Sequence, residues 1–403
     1  TAAEGWLWML PLFLILAPGL LAAVLYRNLA QKPMRCFDFV VYAVIFAFFT
    51  ASFSFGVVYL RGFDVRQVPL FIDGIPAYVP YDGYVDFGRF TTFDLAEIRV
   101  AKADASLLYG PNTLGGAINL VTRKPVKPFE GDARLGFGSG QTRKAAVNLG
   151  GNQGLWYYQL GASYLDADSF PLPGGFKDYK AKPTDTGDNR QNAYRTDKRL
   201  SFKLGLTPNA TDEYALGYVR QEGEKGNPVY TGRASGGIRY WRWPWWDKES
   251  LYFIGNIGLG ESSGLKLRAY EDHYGNGLEA YADGTYATQL LNTSFPSVYS
   301  DKTRGVSVEL STQAIANHDL HLALHYKDDR HQDTNPKSPT KDYRDVTTSL
   351  ALEDTITLGG DYTLRLGASH CCAHCNWPSR RARSAAGTAG ACRRRCNCAF
   401  RRS

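Results

Sequence analysis

From about residue 131 to residue 370, apolar side chains alternate with polar or small ones at successive positions. Within 156–163 the even positions carry Trp, Tyr, Leu and Ala, and the odd positions carry Tyr, Gln, Gly and Ser. The same pattern recurs at 133–137, 145–149, 200–206, 265–269, 306–310, 320–326 and 362–368. Because successive side chains of a β-strand point to opposite faces, this period of two predicts about eleven strands, each with one apolar face.

The segments between these predicted strands alternate between short and long. The short segments are 207–210, 260–264 and 316–318, and the long polar ones are about 167–197, 222–248, 271–302 and 327–345. Short turns at one end and long loops at the other are typical of an outer-membrane β-barrel, and such long loops are uncommon in compact soluble domains. A soluble β-sandwich or solenoid is the alternative. The aromatic run Tyr240–Trp246 is predicted to form an interfacial girdle.

Two apolar stretches, Trp6–Leu25 and Phe39–Leu60, precede this region, and Arg27, Lys32 and Arg35 lie between them. Each stretch is long enough to cross a bilayer as a helix, and the basic residues would face the cytoplasm. The pattern favours a helical hairpin of an inner-membrane protein over a signal peptide, whose apolar segment is shorter. We predict that residues 1–59 are two hydrophobic helices, unrelated to the remainder or joined to it as a chimera.

Residues 60–128 form a third kind of sequence, with short apolar segments separated by glycine-rich turns. The segment 68–72 ends in Asp73-Gly74, a pair that favours a tight turn. A short alternating segment follows at 97–100, and a glycine-rich stretch at 109–119. This pattern predicts a small α+β unit.

Three motifs in this unit resemble the later part of the plug domain of TonB-dependent outer-membrane receptors. They are Arg61-Gly62-Phe63, Ile72-Asp73-Gly74, and Tyr109-Gly110-Pro111 leading to Gly115-Gly116-Ala117-Ile118-Asn119. Residues 129–370 resemble the first half of the same family's barrel. The fold class that this resemblance implies is membrane all-β, a partial antiparallel transmembrane β-barrel of about 11 strands out of about 22, preceded by a partial plug. The plug-motif residues are Arg61, Gly62, Asp73, Gly74, Tyr109, Gly110, Gly115, Gly116 and Asn119.

The resemblance implies a receptor in the outer membrane of a Gram-negative bacterium. Such receptors bind a ferric siderophore, haem or cobalamin outside the cell and import it with force from the TonB complex of the inner membrane. The expected partners are therefore the TonB complex, the ligand and outer-membrane lipid, with no resident cofactor. Two alternatives are an outer-membrane channel or adhesion barrel without energy coupling, and an inner-membrane helical protein with a chance extension.

The resemblance also implies a ligand site, because plug loops of this family face outward. The residues predicted to contact ligand are Tyr78, Tyr81, Asp82, Tyr84 and Arg89. Tyrosine and arginine suit an oxygen-rich, often anionic chelate, although these side chains could instead pack against the barrel wall. A second hypothesis pairs Arg61 and Arg99 with lumen-facing carboxylates such as Glu309 or Glu353.

Residues 371–403 differ from all preceding segments, since they contain six of the seven cysteines and eight arginines with no Asp, Glu or Lys. The preferred interpretation is a frameshifted tail that begins after about His370; a zinc site or a genuine basic tail is the alternative. The formal net charge of +7 arises in this tail, so it does not indicate a nucleic-acid partner.

His321 and His325 lie too far apart on one strand to share a metal ion. No catalytic triad or paired acids are evident, so we predict no enzyme.

Overall fold

The computed structural model describes residues 60–376 and 395–402, except for 61, 64–65, 81–82, 84, 103–108, 111–112, 114, 177–184, 186–187, 232–237 and 360–361. Apart from Leu60, the two apolar stretches predicted as helices therefore lie outside the described residues. Among the residues described, no helix is both long enough and apolar enough to cross a bilayer.

The segment predicted as the plug, residues 60–128, contains a small mixed sheet. Its strands are β1 (Leu70–Ile72), β2 (Ile75–Pro76), β3 (Leu95–Lys102) and β4 (Gly116–Thr122), in the order β2-β1-β4-β3. β1 runs parallel to β4, and the other pairs are antiparallel. A core of Val68, Leu70, Ala77, Val85, Ile118 and Leu120 covers this sheet. The apolar segment 68–72 thus contributes to the plug interior, whereas Ile98 and Val100 of the alternating segment 97–100 are 53% and 45% exposed.

A single antiparallel sheet follows, in which each strand pairs with its neighbours in the chain. Its strands are β5 (Glu130–Gly138), β6 (Thr142–Asn152), β7 (Trp156–Ala167), β8 (Arg195–Leu206), β9 (Glu213–Asn227), β10 (Tyr240–Gly258), β11 (Ser263–Tyr281), β12 (Ser297–Thr312), β13 (His318–Asn335), β14 (Ser338–Gly359), β15 (Tyr362–Asn376) and β16 (Arg395–Arg402). We refer to β5–β15 as the wall. The predicted fold class, a partial antiparallel barrel after a partial plug, is confirmed.

The wall buries its polar face and exposes its apolar face. Asn148 and Gln159 are 2% and 7% exposed, whereas the adjacent Leu149 and Leu160 are 40% and 41% exposed. A soluble sandwich would show the opposite arrangement, because its apolar face forms the core. The period of two therefore separates a polar lumen that holds the plug from an apolar outer surface suited to lipid.

The connections differ in length between the two ends of the wall. One end carries only short connections, among them 153–155, 207–212, 259–262 and 313–317. The other end carries the long segments 168–194, 228–239 and 282–296, together with the short turns 139–141 and 336–337. The prediction of a long loop at 327–345 is wrong, because β13 continues to Asn335 and β14 begins at Ser338. These strands rise past the apolar band, where both faces meet polar surroundings and the alternation that identifies a strand is lost.

The predicted aromatic girdle at Tyr240–Trp246 is also wrong in part. Trp243 and Trp246 are each 8% exposed and lie on the inner face of β10. Irregular pairing between Arg242 and Trp245 accounts for this, because a bulge lets two residues three positions apart share one face.

The tail boundary predicted at residue 370 falls within a strand. β15 continues to Asn376, so Cys371 and Cys372 are strand residues paired with Ser349 and Thr348 of β14. A further strand, β16, then pairs with β15. The interpretation of residues 371–403 as a frameshifted tail stays a prediction, as does the separate origin of residues 1–59.

Replacing Gly116 with Ala is expected to destabilise the plug by about 2–4 kcal/mol. Gly116 has φ +131°, and a Cβ there would overlap the carbonyl oxygen of Ala101 on the paired strand β3. The substitution therefore strains the backbone and also forces β3 away from β4. The urea concentration at which protease begins to cut the plug would report the loss.

Gly62→Ala is the matched control, because Gly62 has φ +84° and a Cβ there would meet none of the described residues within 4 Å. It isolates backbone strain, worth about 1–2 kcal/mol. Equal losses for the two variants would show that the close approach of β3 contributes nothing.

Candidate functional site: the contacts between plug and wall

The turn between β1 and β2 is organised by Asp73, which has φ +52° and is followed by Gly74 at φ +81°. The Asp73 carboxylate accepts hydrogen bonds from the backbone N–H of Thr122 at 2.8 Å and from its hydroxyl at 2.6 Å. The amide N–H of Gly74 donates to Oδ1 of Asn119 at 3.0 Å. Two plug motifs that are 45 residues or more apart in sequence therefore stabilise one turn.

Three strands of the wall contact this turn. Nζ of Lys203 on β8 lies 2.7 Å from Oδ2 of Asp73, and the Tyr252 hydroxyl on β10 lies 3.4 Å from the same oxygen. Nε of Arg268 on β11 donates to the backbone carbonyl of Asp73 at 3.2 Å. The side chains of Lys203 and Asp73 are 9% and 7% exposed, so this ion pair is buried.

Two opposing effects set the pKa of Asp73. Burial alone would raise it, but the charge of Lys203 and the hydrogen bonds from Lys203 and Thr122 outweigh burial and lower the pKa below its usual 3.8. The carboxylate is therefore ionised at neutral pH. We call this group the Asp73 contact.

A second contact centres on Arg89, at the end of a short 3₁₀ turn, Phe87–Arg89. Its guanidinium is 1% exposed and lies 3.2 Å from Oδ1 of Asp197 on β8, which is equally buried. Nε2 of Gln221 donates to the Arg89 carbonyl at 2.5 Å, and the Trp246 ring lies 5.2 Å from the guanidinium carbon. The wall thus contacts the Arg89 guanidinium through a carboxylate and an indole, and the Arg89 backbone through an amide.

Asp86 extends this second contact. Its carboxylate caps the 3₁₀ turn by accepting from the Gly88 N–H at 3.0 Å, and it is also ion-paired with Lys225 of β9. Lys225 in turn lies 5.2 Å from the Trp243 ring. Each of the two inward-facing tryptophans therefore packs against a cation. Trp246 packs against Arg89 of the plug, and Trp243 packs against Lys225 of the wall.

A third contact joins Asp94 of the plug to Arg199 of β8 at 3.1 Å, with both side chains at most 3% exposed. Beside it, Nδ2 of Asn148 on β6 donates to the backbone carbonyl of Phe93 at 2.9 Å. Both wall residues sit at polar positions of the alternating pattern. The pattern by itself predicts only that such positions face a lumen.

A fourth contact involves Tyr78, whose hydroxyl donates to both carboxylate oxygens of Asp329 on β13 at 2.7 and 2.9 Å. Nζ of Lys327 lies 4.4 Å from the Tyr78 ring centroid, and the Thr303 hydroxyl donates to Asp329 at 2.7 Å. Burial, together with the negative charge of Asp329, raises the pKa of the Tyr78 phenol well above its usual 10. Tyr78 is therefore a hydrogen-bond donor at all physiological pH values.

Beside these contacts lies a cavity of about 1070 Å³ between the plug and the inner face of β11–β14. Its lining includes five basic residues, which are Arg66, Arg99, Lys266, Arg268 and Lys327, and three acidic residues, which are Glu309, Asp329 and Asp345. Tyr78, Tyr109 and Tyr270 also line it. The cavity is therefore polar, rich in phenol groups and biased toward positive charge.

The residues predicted to contact ligand fall into two groups. Tyr81, Asp82 and Tyr84 lie outside the described residues. Tyr78 and Arg89 lie against the wall, which was the alternative considered for them. Ligand contact by this group stays a prediction.

The hypothesis that Arg99 pairs with Glu309 is wrong. Nε of Arg99 donates to Glu97 on its own strand at 2.6 Å, while Glu309 pairs with Lys266 at 2.8 Å. Residues i and i+2 of a strand share a face, so the local partner is always within reach. Arg61, the other arginine in that hypothesis, lies outside the described residues.

The remaining plug-motif residues occupy packed positions. The Tyr109 ring packs on Phe71 with centroids 5.3 Å apart, and a Cβ on Gly110 would lie 3.6 Å from the His325 ring. Gly115 is held so tightly against Phe63 and Val68 that a Cβ would overlap both. Within the described residues, no cluster of three or more His, Cys, Asp or Glu could hold a metal ion.

Sequence reasoning missed Lys203, Asp197, Arg199 and Asp329, the wall partners of the plug. Each is more than 100 residues from its partner along the chain. One signal was available for Lys203, because a charged residue between apolar neighbours, here Phe202 and Leu204, must point into the lumen. Asp197 and Asp329 have polar neighbours on both sides, so the pattern did not distinguish them.

One match to a known protein family covers part of the plug. Residues 41–117 match the family described as the TonB-dependent Receptor Plug Domain. This match begins ahead of the boundary predicted at residue 60. Within the curated proteins, 116 residues are 30% identical to the ferripyoverdine receptor of Pseudomonas aeruginosa, covering 28% of this chain and 14% of that receptor.

A shorter stretch of 82 residues is 26% identical to the vitamin B12 transporter BtuB of Vibrio vulnificus, covering 20% of this chain and 13% of the transporter. The fold is similar to that of the copper transporter OprC, with a TM-score of 0.67 and 13% identity over 86% of this chain and 54% of OprC. The chain therefore spans about half the length of that solved structure. The segments that match the two curated relatives cover 14% and 13% of those proteins.

Proposed function

We propose that this chain is part of a TonB-dependent receptor that imports a ferric siderophore, or a comparable scarce nutrient, across the outer membrane. The relatives are receptors and transporters, and we propose transport without catalysis here too. The TonB complex of the inner membrane would supply the force, and the ligand would arrive at the end that carries the long loops.

The observation that carries this proposal is the nature of the four plug–wall contacts. Each depends on a charged or hydroxyl group that is buried between the plug and the wall. Water can replace such partners one at a time, because it donates and accepts hydrogen bonds as the protein groups do. A plug fixed in this way is stable at rest and can still be displaced by a pulling force.

The cavity beside the plug supports the choice of cargo. Its phenol groups and its excess of basic side chains suit an oxygen-rich chelate with negative charge. Arg66 is an exposed residue that lines this cavity on the plug side. A channel or adhesion barrel without energy coupling would have no need for a plug fixed by buried ion pairs.

The test is uptake of single radiolabelled ferric siderophores by iron-starved cells that depend on this receptor, with TonB present or deleted. We expect uptake of at least one siderophore, and loss of that uptake without TonB. Arg66→Gln should lower uptake by about tenfold, as expected when one charged hydrogen bond is removed.

Arg134→Gln is the matched control, since Arg134 is an exposed arginine on β5, paired with Asp132 and outside the cavity lining. It should leave uptake unchanged. Uptake that persists in the absence of TonB would favour the uncoupled channel and contradict the proposal.

A further inference from the structure

The outer face of β11–β14 changes from apolar to charged at one height. Ala269, Val306, Tyr326 and Thr348 lie side by side in register on these four strands. Val306 and Tyr326 are 49% and 43% exposed, as expected for side chains that face lipid. This row is the upper edge of the apolar band, on the side of the long loops.

The two rows above it carry most of the charge. The first row is Glu271, Arg304, Asp328 and Val346, and the second is His273, Lys302, Arg330 and Arg344, each in direct cross-strand register. Lys302, Arg330 and Arg344 are therefore direct neighbours on the adjacent strands β12, β13 and β14. Like charges in such positions repel, so an arrangement of this kind requires compensation.

Two carboxylates from the lower row provide part of that compensation. Glu271 pairs with Lys302 at 2.7 Å and Arg304 at 2.5 Å, and Asp328 pairs with Arg344 at 2.8 Å and Arg330 at 3.4 Å. Four permanent cations thus share two carboxylates. Asp342, one row higher, accepts a hydrogen bond from Gln332 at 2.9 Å.

The cations also remain open to the surroundings of the barrel. The side chains of Arg304, Arg330 and Arg344 are 55%, 55% and 49% exposed. A guanidinium has five N–H donors, and the ion pairs described use only some of them. The exposed part of each guanidinium lies at the outer surface, directly above the apolar band.

The opposite edge of the apolar band lacks this feature. On the same strands, the row Leu265, Leu310, Leu322 and Leu352 is followed by Ser263, Thr312, Leu320 and Asp354. Neither row contains a lysine or an arginine. On these four strands, the cations therefore lie next to the apolar band on the loop side only.

We propose that Lys302, Arg304, Arg330 and Arg344, here named the cationic rim, bind the phosphate headgroup of an anionic lipid in the leaflet on the loop side. The lipid's acyl chains would lie on Val306, Tyr326 and the apolar side chains below them. Charge complementarity supports this occupant, because cations next to an apolar band meet anionic headgroups at the membrane surface. Arginine also binds phosphate through two parallel hydrogen bonds. The inference depends on the barrel fold and is independent of the cargo.

The experiment compares lipid retention by the full chain folded in detergent micelles that contain equal amounts of phosphatidic acid and phosphatidylcholine. Native mass spectrometry counts the lipid molecules that stay bound. Wild type should retain phosphatidic acid in preference, and the double variant K302Q/R330Q should bind it about 25-fold more weakly, at about fivefold for each cation removed. Both carboxylates keep an arginine partner in this variant, so the strands should still form.

The matched control is K198Q/R220Q, which removes two outward cations from β8 and β9. Arg220 lies in the same register row as Lys302, but its neighbours there include Glu249. This control should retain phosphatidic acid as wild type does, and circular dichroism should show equal strand content for all three proteins. Equal retention by K302Q/R330Q and wild type would overturn the proposal. Full displacement of the lipid by excess inorganic phosphate, or capture of an acidic protein in place of lipid, would also overturn it.

Discussion

Replacing Asp197 with Asn is expected to weaken the attachment of the plug by about 3–5 kcal/mol, because it leaves a buried cation without its main counter-ion. Arg89 is 1% exposed, and its other carboxylate, Asp86, lies farther away at 3.9 Å. The measurement is the urea midpoint at which protease first cuts the plug, while circular dichroism follows the strands of the wall. The plug should become sensitive well before the wall unfolds.

The double variant D197N/R89Q distinguishes a charge effect from simple loss of packing. It removes both buried charges, so it should recover part of the loss seen in the single variant. Glu97→Gln is the control, because Glu97 is exposed and pairs within its own strand. A double variant less stable than either single variant would show that the ion pair itself, and not the stranded cation, determines the effect.

Replacing Asp73 with Asn should have a similar effect, about 3–5 kcal/mol, since Lys203 would then be buried without a counter-ion. This prediction also has a pH dependence. The folded-state pKa of Asp73 is lowered, so its contribution is complete above the unfolded pKa of about 3.8 and is lost as the pH falls through the lower folded value. The difference in plug stability between wild type and variant should therefore be constant above about pH 4 and decrease below it.

The same protease assay, repeated from neutral pH to pH 3, measures this difference. Asp319→Asn is the control, because the Asp319 side chain is 41% exposed and pairs with His321 of its own strand. A difference that already decreases between pH 7 and pH 5 would assign the effect to another titrating group. It would also contradict the lowered pKa of Asp73.

The sequence predicted the wall well because its signal is local. In β7, Tyr157 and Gln159 are buried while Trp156 and Leu160 are exposed, as the period of two requires. The pattern fails where strands leave the apolar band, as at 327–345, because both faces then contact polar surroundings and the alternation disappears. It also fails at Trp243 and Trp246, because a bulge changes which face a residue occupies and leaves no mark in the hydrophobic pattern.

The plug contacts could be predicted only in part. Asp73-Gly74 was identified as a turn, and Asn119 as part of a motif, but nothing local indicated that the two would bond. Pairings such as Arg89 with Asp197 depend on how the plug is oriented inside the wall, and that orientation is fixed by many weak contacts together. Arg99 shows the converse, because its partner Glu97 is two residues away and the predicted pairing with Glu309 was wrong.

The Asp73 contact also has a consequence for the order in which the molecule assembles. Its three wall partners, Lys203, Tyr252 and Arg268, lie 130, 179 and 195 residues further along the chain. Closing such long loops is slow and entropically unfavourable until the intervening β-hairpins have formed. Asp73 therefore acquires its full set of partners only after β8 to β11 are correctly aligned, so the Asp73 contact forms late in assembly.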